Sequence, residues 1–337
     1  MSFSVTDEQA QAIVKAYCGA HIKKLEIVQL GDLHAEYVLH IVQDGDQQNT
    51  FTLLVVLSPT LSEHTKLIEL VASNSPLSPP TILKSDLSLT ILPTPYLLLT
   101  HTADPSIWAI RPKLSPHQST IVDLRLGNLM RTLHRIENDW FGPCNDAATW
   151  KECVSWQICF STLMEDILAK VETSSPPIVF PDGQGVGQIR SYLGRAIGLF
   201  LFDDVEVPTL VWYPGLNCDR NIFLSADLSN LPTADVSISE LTGWGSAIWG
   251  DPLMEISLRA PSTAFLEGYG GTPFLFRRQH TKRLWYTLFA ALCALMHVSI
   301  PAEVPSEKQG GATECKGEDI LELVSECMNA LRNAPCY

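Results

Sequence analysis

The chain has 337 residues, 46% hydrophobic and 18% charged, enough to bury a substantial core and, at about 100–200 residues per domain, to form two lobes. It carries 23 basic against 37 acidic side chains, a net charge of −14. That balance excludes general binding to nucleic-acid phosphates, which needs clustered Lys and Arg, and the apolar content excludes a disordered chain.

In chain order, residues 1–17 are polar and helix-like, without the basic then apolar pattern of a signal peptide. Residues 25–30, 36–42 and 51–57 are short apolar or β-branched runs between polar turns, and read as strands. A capped amphipathic helix starts at Ser62-Glu63-His64 and continues through Leu67, Ile68, Leu70 and Val71. Residues 87–92 and 96–100 read as two more strands. From about residue 105 the pattern turns helical. Residues 115–136 place Ile121, Leu124, Leu126, Leu129, Met130 and Leu133 at helical spacing behind Ser115-Pro116, an N-cap followed by Pro at the first helical position. Helices are expected over 150–171, 189–200, 281–298 and 319–333. Residues 210–250 are irregular and rich in Gly, Asn, Asp and Trp, as binding loops are.

The run 284–300 is the most apolar. It is shorter than the roughly 20 residues of a spanning helix and reads as a core helix, so no membrane is expected. The basic cluster Arg277, Arg278, Lys282 and Arg283 just before it reads as a solvated helix end. Nine cysteines are scattered with no Cys-x-x-Cys pair. That pattern points to reduced, mostly buried thiols in a cytoplasmic chain, with no metal site and no cofactor. These patterns give the α+β class.

Three ordered segments say more. Leu126-Gly-Asn-Leu-Met-Arg-Thr-Leu-His-Arg-Ile136 is followed by Trp140-Phe-Gly142. Further on come Trp249-Gly-Asp-Pro-Leu253 with Glu255, and then Phe265-Leu-Glu-Gly-Tyr269. Together, over about residues 25–295, these resemble the aminoglycoside phosphotransferase family, the small-molecule branch of the protein-kinase-like fold. The resemblance implies two lobes, a small antiparallel-sheet N-lobe (1–104) and a larger helical C-lobe (105–337), with the catalytic loop falling on Val211 to Leu224.

The phosphoryl-transfer chemistry of that family needs a carboxylate base, metal-binding carboxylates and a cation for the phosphates. Matched on Gly215 and Asn221, the catalytic Asp becomes Leu216 and its preceding His becomes Pro214. The downstream metal-binding Asp becomes Gly243, so of the usual metal pair only Asn221 remains. Val55 or Val56 stands at the phosphate-contacting Lys, and Glu63 matches the helix Glu that pairs with that Lys. The phosphate-covering turn, Gly31-Asp-Leu-His-Ala-Glu-Tyr37, carries two carboxylates that repel phosphate.

What the loop region retains suits a pocket of aromatic walls with a few polar groups. Asp219, Glu255 and Tyr213 are the candidate acid and base groups. Trp212, Asn217, Cys218, Arg220, Asn221, Trp244, Trp249, Asp251 and Tyr269 are candidate substrate contacts, each with a plainer role in bracing or core packing. His134 reads as a packed, hydrogen-bonded histidine. Three readings stay open: a small-molecule enzyme reusing the cleft for cofactor-free acid–base chemistry of cyclisation or isomerisation type in a biosynthetic pathway, a phosphotransferase with relocated ligands such as Asp219 or Glu240, and a non-catalytic pseudokinase that binds a metabolite or protein. The expected partner is a small molecule. Oligomeric state is not legible.

Overall fold

A computed structural model describes all residues except 1–4, 31–34, 43–49, 58–59, 78–79, 184, 299–316 and 337. Gly31 to His34 of the expected phosphate-covering turn, and the polar turn between the second and third expected strands, lie outside the described residues.

Helix α1 (Asp7–Cys18) opens on a capping box between Thr6 and Gln9. Five antiparallel strands follow: β1 (His21–Leu30), β2 (Ala35–Val42), β3 (Thr50–Leu57), then α2 (Leu61–Asn74), β4 (Ile82–Asp86) and β5 (Tyr96–His101). Their spatial order is β1-β2-β3-β5-β4. Alternation along the strands separates two faces. Tyr37, Leu39, Ile41, Val55 and Leu98 pack with Ala10, Ile13 and Val14 of α1. Val38, Val56, Leu97 and Leu99 pack with Leu61 and Ile68 of α2. Glu36 lies opposite Val56, so it belongs to the second face.

The helical lobe comprises α3 (Ile107–Ile110), α4 (Pro116–Leu133), β6 (Gly142–Pro143), α5 (Ala147–Trp150), α6 (Trp156–Glu172) and α7 (Val186–Gly198). Then come β7 (Thr209–Val211), β8 (Ile222–Ser225), β9 (Ser237–Leu241), β10 (Ile248–Gly250), α8 (Thr263–Tyr269), α9 (Arg277–Val298) and α10 (Gly317–Leu331). Ser115 and Gln118 form the capping box of α4, with Pro116 at its first position. Two motif helices meet where α4 crosses α8. A Cβ on Gly127 would stand 2.0 Å from the Phe265 carbonyl oxygen, and one on Gly268 would stand 1.9 Å from that of Leu124, so the contact tolerates only glycine.

Two expected elements are corrected. Residues 87–92 are not a strand: the Asp86 carboxylate accepts the Ser88 N–H and hydroxyl, and Leu87 and Leu89 are exposed. A local side-chain turn outcompetes the ladder there, and the strand lies earlier, at Ile82–Asp86. The single helix over 150–171 is two helices, because Ser155 accepts the Ile158 N–H and restarts the chain as α6. The apolar run falls in α9 as a core helix, with Trp285 and Tyr286 fully buried. Among the described residues no helix is long and apolar enough to cross a membrane.

Candidate functional site

The loop following β7 ends in a 3-10 turn at Cys218–Asn221 and is stitched to the segment after β9. The Asn221 carbonyl accepts the Thr242 N–H at 3.0 Å, and its Oδ1 accepts the Thr242 hydroxyl at 2.9 Å. Trp212 donates its indole N–H to the Thr242 carbonyl at 2.8 Å, and Trp244 donates to the Leu241 carbonyl at 2.8 Å. These bonds hold Gly243 at φ +78°, in the left-handed region.

Glu36 reaches this turn from the sheet lobe. Its Oε2 accepts the Gly243 N–H at 3.0 Å and its Oε1 accepts the Gly245 N–H at 3.4 Å. Only 1% of Glu36 is exposed. Nearby, Glu240 of β9 pairs with His101 Nδ1 at 2.5 Å and accepts the Thr102 N–H at 2.8 Å, which ties the segment joining the lobes to the helical lobe. A carboxylate therefore sits inside a nest of two backbone donors between the lobes, flanked by a second carboxylate and an imidazole.

Burial pushes the Glu36 carboxyl up from 4.5 to about 7, against the lowering effect of its two backbone bonds. Its proton is held more tightly folded than unfolded. That contribution to stability is complete below about pH 4.5 and is lost as pH rises through about 7. His64, buried on α2, behaves oppositely. Burial draws its imidazole down from 6.5 to about 4, so its contribution is present above pH 6.5 and is lost as pH falls through about 4. Replacing Glu36 with Gln is expected to abolish the first slope alone. Between about pH 5 and 8 the wild type should lose on the order of 3 kcal/mol relative to E36Q in urea unfolding; parallel curves would show that Glu36 does not titrate in that range.

A second polar group lies within the helical lobe. Glu255 is fully buried, and its Oε2 stands 3.7 Å from His134 Nε2. His134 Nδ1 bonds the Tyr269 hydroxyl at 2.8 Å. Tyr213 and Arg283 share the field of Glu255. The Tyr213 hydroxyl, the Glu255 Oε2, the His134 Nε2 and the Arg283 Nε and Nη2 are buried and find no hydrogen-bond partner among the described residues. Burial holds the Tyr213 hydroxyl well above its ordinary range and draws the Arg283 guanidinium down to about 10. Within this set the His134 imidazole and the Tyr269 hydroxyl are in hydrogen-bond reach of each other, with the Glu255 carboxylate 3.7 Å from the other ring nitrogen.

The remaining candidates are distributed around these two centres. Asp251 is buried; its Oδ2 accepts from Lys282 Nζ at 2.8 Å and from the Tyr286 hydroxyl at 2.7 Å, and its Oδ1 caps Leu253. Asp219 pairs with Arg111 at 3.0 Å, and Arg220 lies over the Trp108 ring at 4.2 Å, both braces of the loop. Cys218 has Glu255 in its field, and burial raises its thiol. Asn217 is exposed, while Trp212, Trp244 and Trp249 are buried in the core. The structure thus joins His134, Glu255 and Tyr269 and joins Trp212, Asn221 and Trp244, while the Asp219 carboxylate is turned to Arg111.

The basic cluster before the apolar run is also corrected. Lys282 and Arg283 are 3% and 7% exposed, not solvated: Lys282 pairs with the Asp204 and Asp251 carboxylates, and Arg283 donates to the Leu253 carbonyl. Sequence reading passed over Glu36 and Glu240 as nest and hinge residues. Glu36 was legible only as a carboxylate beside a Gly turn; its pairing with Gly243 spans 207 positions of chain.

Comparison with solved structures gives the architecture a context. The chain superposes on a thermostable mutant of aminoglycoside phosphotransferase APH(4)-Ia, with TM-score 0.56, 14% identity and 96% of this chain against 98% of that one. It superposes on the streptomycin-ATP-APH(2")-IIa ternary complex with TM-score 0.54, 12% identity and 97% of each chain. The ADP-bound APH(2'')-Ib matches with TM-score 0.52, 13% identity, and 96% and 97% coverage. The fold is that of the aminoglycoside phosphotransferases. No family model and no curated protein matches the sequence.

The aminoglycoside phosphotransferase fold implies a magnesium nucleotide between its lobes, and the donors present here do not fit one. Val55 and Val56, the two residues expected at the cation position, are 1% and 0% exposed and pack among apolar side chains. Leu216 packs against the helical core, and Gly243 offers only a backbone N–H, already bonded to Glu36. Glu63 bonds its neighbour Ser62 and lies near Lys66 on the same helix. Among the described residues no group of three His, Cys, Asp or Glu side chains could hold a metal ion.

Proposed function

We propose that this chain is a small-molecule protein on the aminoglycoside phosphotransferase scaffold that does not transfer phosphate. The observation that carries this reading is Glu36 seated on the Gly243 and Gly245 amides. A buried carboxylate at that point competes with any nucleotide phosphate for the same donors and repels it. The relocated-ligand reading has less support, because Asp219 is engaged by Arg111, and Glu240 by His101 and Thr102.

The chemistry we assign is acid–base, on the Glu255, His134, Tyr269 and Tyr213 group. The His134 imidazole, bonded to the Tyr269 hydroxyl at 2.8 Å and 3.7 Å from the fully buried Glu255 carboxylate, supports this. A small molecule whose polar groups complement a carboxylate and an imidazole is the ligand, with cyclisation or isomerisation as the reaction type. The decisive test is thermal-shift titration with ATP or GTP, with and without magnesium. No shift is expected up to millimolar nucleotide; a rise in melting temperature that needs magnesium would overturn the proposal, because a ligand of the native state raises stability by mass action.

A further inference from the structure

Two thiols meet at the entrance to α6. Ser155 is the N-cap of that helix: its hydroxyl accepts the Ile158 N–H at 3.4 Å, and its carbonyl accepts the Cys159 N–H at 3.0 Å. The same carbonyl oxygen accepts the Cys153 thiol at 3.5 Å, so the cap brings residue 153 beside residue 159. The Cys159 thiol is in hydrogen-bond contact with Cys153. Cys153 is pinned on both sides of its backbone: its N–H donates to the Trp150 carbonyl at 2.7 Å, and its carbonyl accepts the Phe141 N–H at 2.8 Å. The pair spans a gradient of access. Cys153 is half-buried, between exposed Glu152 and Val154, whereas Cys159 is fully buried. Both are free thiols, and among the described residues no third His, Cys, Asp or Glu joins them to hold a metal. Burial first, then the Cys153 neighbour, holds the Cys159 thiol well above its ordinary range. A thiolate is disfavoured there; a disulfide, which carries no charge, is not.

We propose that Cys153 and Cys159 form an oxidation site, closed to a disulfide by a peroxide and reopened by a dithiol reductant. This goes beyond the acid–base reading and does not depend on it. The Cys153 sulfur attacks one peroxide oxygen and the O–O bond breaks. Cys153 becomes a sulfenic acid, and hydroxide from hydrogen peroxide leaves as water with the Cys153 proton. The Cys159 sulfur then displaces the sulfenic hydroxyl, the S–S bond forms, and the Cys159 proton leaves with that hydroxyl as a second water. The two thiols lose one electron pair, and the peroxide is reduced by it. The bond staples the segment leaving α5 to the first turn of α6, whose Trp156 donates its indole N–H to the Tyr286 hydroxyl beside Asp251.

The test is thiol mapping of the full chain. The protein is treated with hydrogen peroxide, alkylated under denaturing conditions and digested after Lys and Arg without reductant. Both cysteines lie on one peptide, bounded by Lys151 and Lys170. That peptide should appear unalkylated and lighter by two hydrogens, and should take two alkyl groups after treatment with dithiothreitol. Further cleavage after Trp156 should leave its halves joined. In C159S the reaction should stop at a Cys153 sulfenic acid that dimedone traps, and in C153S Cys159 should stay alkylatable. The oxidised wild type should melt about 2 °C or more above the reduced protein, because the closed loop restricts the unfolded chain. Exposed Cys18 is the control for delivery of the oxidant. If Cys18 is consumed while Cys153 and Cys159 both remain alkylatable, or if either pairs with another cysteine, the proposal falls. A disulfide that forms without raising the melting temperature overturns the staple. Mapping of the wild type decides the outcome even where a variant fails to fold.

Discussion

Replacing Asp251 with alanine is expected to cost about 3–5 kcal/mol of folding free energy, because it strands a buried ammonium. Lys282 is 3% exposed, and its two partners are Asp251 and Asp204, each at 2.8 Å. Asp204 is about a third exposed, so it screens the ammonium poorly once Asp251 is gone. The same substitution frees the Tyr286 hydroxyl and uncaps the Leu253 N–H, and so loosens the turn that ends at Glu255. Urea unfolding of D251A, K282M and the double variant separates the causes. The double variant should be markedly more stable than the sum of the single losses, since removing both charges leaves none stranded. A cost for D251A below about 1 kcal/mol would show that the ammonium finds water or a new partner.

The second large effect concerns Gly243. Placing a carboxylate by Gly243→Asp, where the resemblance puts a metal-binding Asp, is expected to destabilise the fold and not to confer nucleotide binding. The new Cβ would come within 2.8 Å of the Pro214 Cβ, a contact that real structures avoid, and the residue must hold φ +78°. Overpacking of this kind costs about 1–3 kcal/mol, and the left-handed backbone adds a smaller amount for Asp than for most residues. The new carboxylate would also lie beside Glu36, which adds repulsion where both are ionised. Pro214→Gly should relieve the contact, so G243D should cost less in that background, by a coupling of about 1 kcal/mol or more in a double-mutant cycle. Leu216→Asp combined with Gly243→Asp should still fail to bind magnesium nucleotide while Glu36 and Val56 remain. Magnesium-dependent binding by that pair would show that only two positions separate this chain from a working site.

Some of this was legible in the residues. Three antiparallel strands, the capped α4 and the core helix α9 follow from alternation, from Ser115-Pro116 and from helical spacing, all of which act over a few neighbours. The motif helices announced a kinase-like layout, and the match on Gly215 and Asn221 carries the expectation that Leu216, Gly243 and Val55 or Val56 stand where the transfer groups would be. The errors were local in kind. The hydroxyl of Ser88 and the cap at Ser155 redirect the chain within two or three residues, and apolar runs over 87–92 and 150–171 conceal such turns.

Sequence by itself determined the α+β class, because composition and periodicity need no coordinates, and its resemblance to the aminoglycoside phosphotransferases carried the two-lobe layout. Tertiary structure decided what fills the gap. Glu36 meets Gly243, His101 meets Glu240, and Glu255 meets His134 across 207, 139 and 121 positions respectively (255 − 134 for the last). Contacts of that span depend on how β2, β5, β9 and the turn before Glu255 are packed, and burial then sets their charge. A carboxylate in a turn and a carboxylate in a buried nest have the same letter; only the fold supplies the two backbone donors that hold one of them and the desolvation that raises its proton affinity.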